Sequence, residues 1–243
     1  SLSGLHANTQ VPKIIGAARL YELTGQDRFK TIADFFWTTV VNHYSYANGG
    51  NSAEEYFGKP DHLAERMHHT TETCNTYNML LLTRHLFAWQ PSAAYMDYYE
   101  RALFNHILTH QHPEEGGRLV YKGFLDMPAQ KGFSDPTESF WCCVGTGMEN
   151  HAKYADTIYA YSPESLYVNL FISSQLMWKE KNITLTQKTQ LPVGDAVNLA
   201  FSCPQPAAFS LKIRKPYWAK SVEMALNGKS QTVTLGPDGY ITI

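Results

Sequence analysis

The hydrophobic period of this chain changes once, near Ser162-Pro163, and that change limits what it can fold into. Before it, apolar residues recur at helical spacing. In VPKIIGAARLYELTG they fall at Ile14, Ile15, Ala18, Leu20 and Tyr21, and Gly25 follows as a stop. DRFKTIADFFWTTVVNHY repeats the stripe at Phe29, Ile32, Phe35, Phe36 and Val40, with Asp27 placed to cap it. The short link predicts an antiparallel helical hairpin. TYNMLLLTRHLFAW predicts a third helix and AAYMDYYERALFNHILTH a fourth, ending before Pro113. GMENHAKYADTIYAY predicts a fifth.

After Ser162-Pro163 apolar residues alternate. SLYVNLFISSQLMW does so at Leu166, Val168, Leu170 and Ile172, and KNITLTQKTQL at Ile183 and Leu185. AVNLAFSC, FSLKIRKPYW and SVEMALNG follow, with turn signals at Val193-Gly194, Asn227-Gly228 and Asp238-Gly239. This predicts antiparallel strands forming half of a β-sandwich. The Asn182-Ile-Thr184 sequon reads as strand sequence. The expected class is mainly α with a C-terminal all-β part, divided as residues 1–162 and 163–243.

Two long polar loops, Ala47–Thr70 and Pro113–Phe140, interrupt the helices. Loops of that length in a compact domain are functional or disordered, and Tyr56, Phe57, Tyr121, Phe124 and Phe133 argue against disorder. The net charge of -2 offers nothing to attract nucleic acid or an anionic membrane. No apolar run approaches the roughly 18 residues of a membrane span. The start, SLSGLHANTQ, has neither a basic n-region nor an apolar h-region.

Four cysteines in 243 residues do not make a disulfide scaffold. The adjacent pair Cys142-Cys143 is poorly shaped to bridge to itself. Together with Glu72 and Cys74 it supplies one carboxylate and three thiolates, a donor set suited to zinc. Residues i and i+2 diverge on a regular helix, so Glu72 and Cys74 can share a metal only from a first turn or an extended approach. Cys142 and Cys143, expected in a loop before the fifth helix, likewise need an irregular backbone, which Gly145 and Gly147 permit. Cysteine is also a small buried hydrophobe, and that reading stays open for all three; Cys203, beside Pro204, reads as packing alone. His68 and His69 flank the Glu72 segment as further potential ligands. Glu54 and Glu55 lie in a Gly-rich loop beside Tyr56 and Phe57, as solvated acids or as a carboxyl whose raised pKa suits a general acid. Glu149 and His151 lie at the expected start of the fifth helix, where the acid complements the dipole. His6 and Asn8 are candidate caps or polar groups that hold a substrate.

HANTQVPKIIGAARLYELTG, GGNSAEEYF, TTETCNTYNML and FWCCVGTGMENHAKYADTIY, in that order over residues 5 to 160, resemble the β-L-arabinofuranosidases of glycoside hydrolase families 127 and 146. VGTGMEN is more similar to family 146. The resemblance implies an (α/α)6 barrel followed by β-sandwich domains. Residues 1–162 would be the C-terminal half of the barrel and 163–243 a truncated sandwich. A half barrel leaves an apolar edge for the rest of its own chain to cover. The resemblance further implies Zn2+ held by Glu72, Cys74, Cys142 and Cys143. Cys142 would double as nucleophile, Glu55 would be the acid/base with Glu54 its competitor, and His6 would contact the sugar. The expected substrate is an arabinofuranose-containing glycan, which places the protein outside the cell or in a periplasm. Two rivals accompany this expectation: a non-catalytic carbohydrate-binding or scaffold protein with a structural zinc, and an (α/α)6 glycosidase or lyase of other specificity.

Overall fold

The computed structural model describes residues 1–68, 70–127 and 130–243. The chain divides into two compact units, Ser1–Pro91 with Tyr95–Lys153, and Ser92–Ala94 with Tyr154–Ile243.

The first unit is helical. Helix α1 spans Ala7–Thr24 and α2 Asp27–His43. Gly25 ends α1 in the left-handed region at φ 66°, a conformation that costs a residue with a Cβ. Asp27 is the first residue of α2 rather than its cap, which falls on Gln26, so its carboxylate acts on the helix dipole alone. Helix α3, Thr73–Trp89, is buried along most of its length. It is tied to α1 by Glu22, whose Oε1 accepts from Trp89 Nε1 at 3.2 Å and lies 2.7 Å from His85 Nδ1. It is tied to α2 by the buried Trp37 indole, which donates to Thr83 Oγ1 at 2.8 Å.

The fourth helix departs from a single regular element. Helix α4 runs Ala93–Ala102, passes into a π-helical turn at Leu103–Ile107 and closes with a 3-10 turn at Leu108–His110. Helix α5, Cys142–Lys153, begins with the vicinal cysteines and stops before Tyr159–Tyr161, which is strand β1. Two expectations are corrected here. Cys142 and Cys143 need no irregular backbone, because successive residues of a first helical turn project about 100° apart and both can reach one side of the terminus. Glu149 and His151 lie in the second half of α5, so Glu149 does not serve the N-terminal dipole; its carboxylate bonds to Tyr77 of α3 instead. Gly147 lets α5 settle on the loop before it, since a Cβ there would run into the Leu119 side chain.

The second unit is strand-rich. Besides β1 it contains β2 (Ser165–Val168), β3 (Ser174–Trp178), β4 (Ile183–Thr189), β5 (Val197–Ser202), β6 (Ser210–Arg214), β7 (Met224–Leu226), β8 (Lys229–Gln231) and β9 (Tyr240–Thr242). One sheet has the order β1-β2-β6-β9, a second β3-β4-β5, and β7-β8 is a separate hairpin. Leu166 and Val168 of β2, Trp178 of β3, Ile183 and Leu185 of β4 and Leu211 of β6 form one buried cluster, so both larger sheets contribute to a shared core. A mainly α part followed by an all-β part is the architecture expected from the sequence.

Two details differ. The β2–β6 pair is parallel, in register from Ser165–Ser210 to Val168–Ile213, because the β3-β4-β5 excursion returns the chain beside β2 in its original direction. SLYVNLFISSQLMW is also not one strand. It breaks after Val168, and polar side chains take up the freed carbonyls: Gln187 Nε2 donates to Leu170 O at 3.1 Å and Ile172 O at 2.8 Å, and buried Arg214 Nε to Asn169 O at 2.6 Å. Asn182 lies in a left-handed turn at φ 53° before β4, not within the strand.

Candidate metal and glycoside site

Glu72, Cys74, Cys142 and Cys143 come together in the first unit, with ligand atoms all within 4.8 Å of one another. Cys142 Sγ is 3.2 Å from Cys74 Sγ, 3.9 Å from Cys143 Sγ and 4.0 Å from Glu72 Oε1. The fold achieves this by aiming two helix N-termini at one point. Glu72 is the extended N-cap residue of α3 (φ -91°, ψ 134°) and Cys74 lies in its first turn. Cys142 and Cys143 open α5. Both helix dipoles therefore present their positive ends to the cluster, an environment that favours anionic sulfur and carboxylate.

The donor set fits a tetrahedral metal ion. Thiolates bound at about 2.3 Å would stand about 3.8 Å apart, close to the separations found. Glu72 is buried, and its Oε2 has no hydrogen-bond partner among the described residues. A buried carboxylate oxygen left in that state is costly unless a cation satisfies it. Burial pushes the Glu72 pKa up to about 7, aided by the charges of Cys142 and Glu55 and opposed by Tyr121 and Lys122. Hydrogen bonds from the Cys143 and Cys74 thiols hold the Cys142 thiol well below its usual range, and the same contact with Cys142 raises the other two. Cys142 is also the exposed member, whereas Cys74 and Cys143 are buried. The donor cluster could hold a metal, and the reading of Cys74 and Cys143 as mere packing does not account for it.

Glu55 stands in the same neighbourhood. Residues Ala53–Tyr56 close a tight turn through reciprocal backbone bonds of 3.0 Å, with Glu54 at φ 50° and Glu55 at φ 71°. Two successive left-handed glutamates are strained, since such turns favour Asn and Gly. Neighbouring groups secure the turn. Arg66 Nη2 donates to Ala53 O at 3.1 Å, and Glu55 O accepts from Ala7 N at 2.9 Å, satisfying the first N–H of α1. That second bond brings His6 alongside: its Nε2 is 3.3 Å from Glu55 Oε2. The Tyr121 hydroxyl donates to Glu55 Oε1, and the Tyr121 carbonyl accepts from Cys143 Sγ at 3.5 Å. Tyr121 thereby links the carboxylate to the sulfur cluster. Lys122 Nζ lies 3.2 Å from Glu54 Oε2 and 4.0 Å from Glu55 Oε1. Glu54 is the more exposed of the two, its side chain 50% accessible against 29% for Glu55.

Other candidates lie elsewhere. Asn8 Oδ1 accepts from Asn78 Nδ2 at 2.9 Å, an α1–α3 contact. His68 is exposed and pairs with Asp126 at 3.3 Å, and His69 lies outside the described residues. Cys203 is exposed, not packed. The sequence reading missed Tyr121 as a hydrogen-bond donor, Lys122, Arg66 and the half-exposed Trp141, whose ring lies 5.4 Å from that of Tyr121. Nothing in their spacing marks them, because the long loops that carry them have no period.

The helical unit and the strand-rich unit each have a counterpart among known families. Residues 1–156 match the family described as "Beta-L-arabinofuranosidase, GH127 catalytic domain", and residues 165–243 match "Beta-L-arabinofuranosidase, GH127 middle domain". The chain belongs to the GH127 family. Among solved structures it is similar to a GH127 beta-L-arabinofuranosidase from Geobacillus stearothermophilus T6, at a TM-score of 0.81 and 22% identity, over 98% of this chain and 40% of that one. A second, described as a glycoside hydrolase, gives 0.84 and 21% over 98% and 44%; a third, a GH127 beta-arabinofuranosidase, gives 0.85 and 24% over 98% and 40%. At these identities the likeness is one of fold. The chain spans less than half the length of the structures it matches. No curated protein matches its sequence.

Proposed function

We propose that the complete protein is a retaining glycoside hydrolase that releases β-L-arabinofuranose from glycans. Residues 1–162 would form the C-terminal half of its catalytic helical domain and residues 163–243 part of a β-sandwich. The observation that carries this reading is the exposed Cys142 sulfur, 3.2 Å from Cys74 Sγ within the Glu/Cys cluster that Tyr121 links to Glu55. Glu72, Cys74, Cys142 and Cys143 would hold Zn2+. When bound, zinc supplies the positive charge that keeps these sulfurs ionised at neutral pH.

Cys142 Sγ attacks the anomeric carbon, and the C–S bond forms as the glycosidic C–O bond breaks. Glu55 gives its proton to the departing oxygen. A water then passes a proton back to Glu55 and adds to the anomeric carbon, and the C–S pair returns to sulfur. Two displacements at one carbon retain its configuration. His6 and Tyr121, both at the Glu55 carboxylate, hold it in place, and His6 would also meet a sugar hydroxyl. The rival role, a structural centre in a non-catalytic protein, predicts a different outcome for one substitution. Cys142→Ser in the complete protein should abolish turnover of arabinofuranosides, by about a thousandfold or more, while the circular dichroism spectrum is unchanged. Near-normal turnover in a folded Cys142→Ser protein would refute the nucleophile.

A further inference from the structure

The ring nitrogens of His106 bond to Thr71 and Thr76, in the segment that carries two of the four clustered donors. It lies in the π-helical turn after α4 and is fully buried. Its Nδ1 is 2.8 Å from Thr76 Oγ1. Its Nε2 is 2.8 Å from Thr71 Oγ1 and 3.2 Å from the Thr71 carbonyl oxygen. A carbonyl can only accept, so Nε2 carries the hydrogen and Nδ1 accepts from the Thr76 hydroxyl. One tautomer is fixed, with both ends tied. Burial, with the neighbouring His110, keeps the ring neutral.

The two threonines bracket the donors. Thr71 immediately precedes Glu72, and Thr76 follows Cys74 by two residues in α3. The imidazole therefore spans the Glu72–Cys74 segment from behind. Thr71 is confined from another direction by Gly50, where a Cβ would collide with its side chain. Asn75, between Cys74 and Thr76, is bonded in turn to buried Asn51. A π-helical insertion is uncommon and recurs where a side chain serves a site.

We infer that His106 is a positioning residue for the metal centre: by clamping Thr71 and Thr76 it fixes Glu72 and Cys74 relative to Cys142 and Cys143. This rests on the reading of the cluster as a metal site. Partners bonded directly to a ligand are worth about 10- to 100-fold in metal affinity, and His106, one residue removed from Glu72, belongs at the lower end of that range.

The test compares the complete protein with its His106→Ala, His106→Gln and Thr76→Val variants. Zinc affinity is measured by chelator competition, and the ligand-field and thiolate charge-transfer absorption of the Co2+-loaded forms is recorded. His106→Ala is expected to weaken zinc binding about tenfold or more and to shift the cobalt bands. His106→Gln, whose amide can still donate to Thr71 O, should recover part of the loss, and Thr76→Val should show part of it. A folded His106→Ala protein with unchanged affinity and spectrum would overturn the inference. If His106→Ala does not fold, Thr76→Val decides, and unchanged affinity there overturns it equally. Absence of thiolate–cobalt absorption in the unsubstituted protein would remove the metal reading itself, and the clamp with it.

Discussion

The sulfur of Cys142 lies 3.2 Å from that of Cys74, across 68 residues of chain. Neither helix alone produces this contact. It exists because α3 and α5 both begin at the cluster, each offering its donors from a first turn. A helix N-terminus stabilises negative charge by some tenths of a kcal/mol at a surface and more when partly buried. Two such ends and a cation can keep three sulfurs and a carboxylate together where self-repulsion would otherwise separate them.

The two loop glutamates should behave differently. Glu55→Gln is expected to lower turnover of substrates with poor leaving groups by about 10²- to 10⁴-fold, and to matter far less in the first step for an activated aryl arabinofuranoside, which needs no proton. Glu54→Gln, on the more exposed side chain near Lys122, should stay within a few fold. Steady-state kinetics on both substrate types separate the two, and a larger loss in Glu54→Gln would exchange their roles.

Metal removal should expose one thiol before the others. Cys142 is the exposed member of the cluster, with its pKa held low, while Cys74 and Cys143 are buried. After chelation, iodoacetamide should modify Cys142 first, and saturating Zn2+ should slow that reaction at least tenfold by occupying the sulfur. Peptide mass spectrometry reads the site. Equal labelling of Cys74 and Cys142 would mean that the cluster opens when the metal leaves.

Acid should destabilise the helical unit through a second histidine. His110 is buried, with Nδ1 2.9 Å from His106 O, and burial pushes its pKa down to about 4 from 6.5, with Lys131 contributing and the His106 carbonyl opposing. A folded-state pKa below the unfolded one means that the unfolded chain takes up the proton first. The stability tied to neutral His110 is complete above about pH 6.5 and is lost as the pH falls toward 4, up to about 3 kcal/mol. Urea midpoints between pH 7 and pH 4.5 should fall accordingly, and the fall should be smaller in His110→Gln. Equal slopes would show that other groups carry the acid sensitivity.

The sequence was legible wherever one period ruled. The α1–α2 hairpin with its Gly25 stop, α3, and the alternation of β4 are local patterns that packing reinforces. The donor set was legible as residue types, and its assembly followed from the family resemblance rather than from spacing. Three features were beyond that reading, each for a physical reason. The start of α5 at Cys142 was hidden because thiols and glycines are poor helix signals, although tertiary contacts can override propensity. The π-helical turn that carries His106 has no periodic signature. Tyr121 and Lys122 reach Glu55 through bridges between long loops, such as Glu72 with Lys122, whose register is set by tertiary pairing and not by local sequence.

The most direct test of the account is to catch the sulfur bonded to the sugar. The complete protein carrying Glu55→Gln, mixed with an activated aryl β-L-arabinofuranoside, can form the first bond without a proton donor but lacks the base that directs water to break it. Mass spectrometry should find one anhydropentose attached to the peptide that contains Cys142, and none when Cys142→Ser is combined with Glu55→Gln. A pentose on any other residue, or rapid turnover by the protein lacking the Cys142 sulfur, would contradict the account.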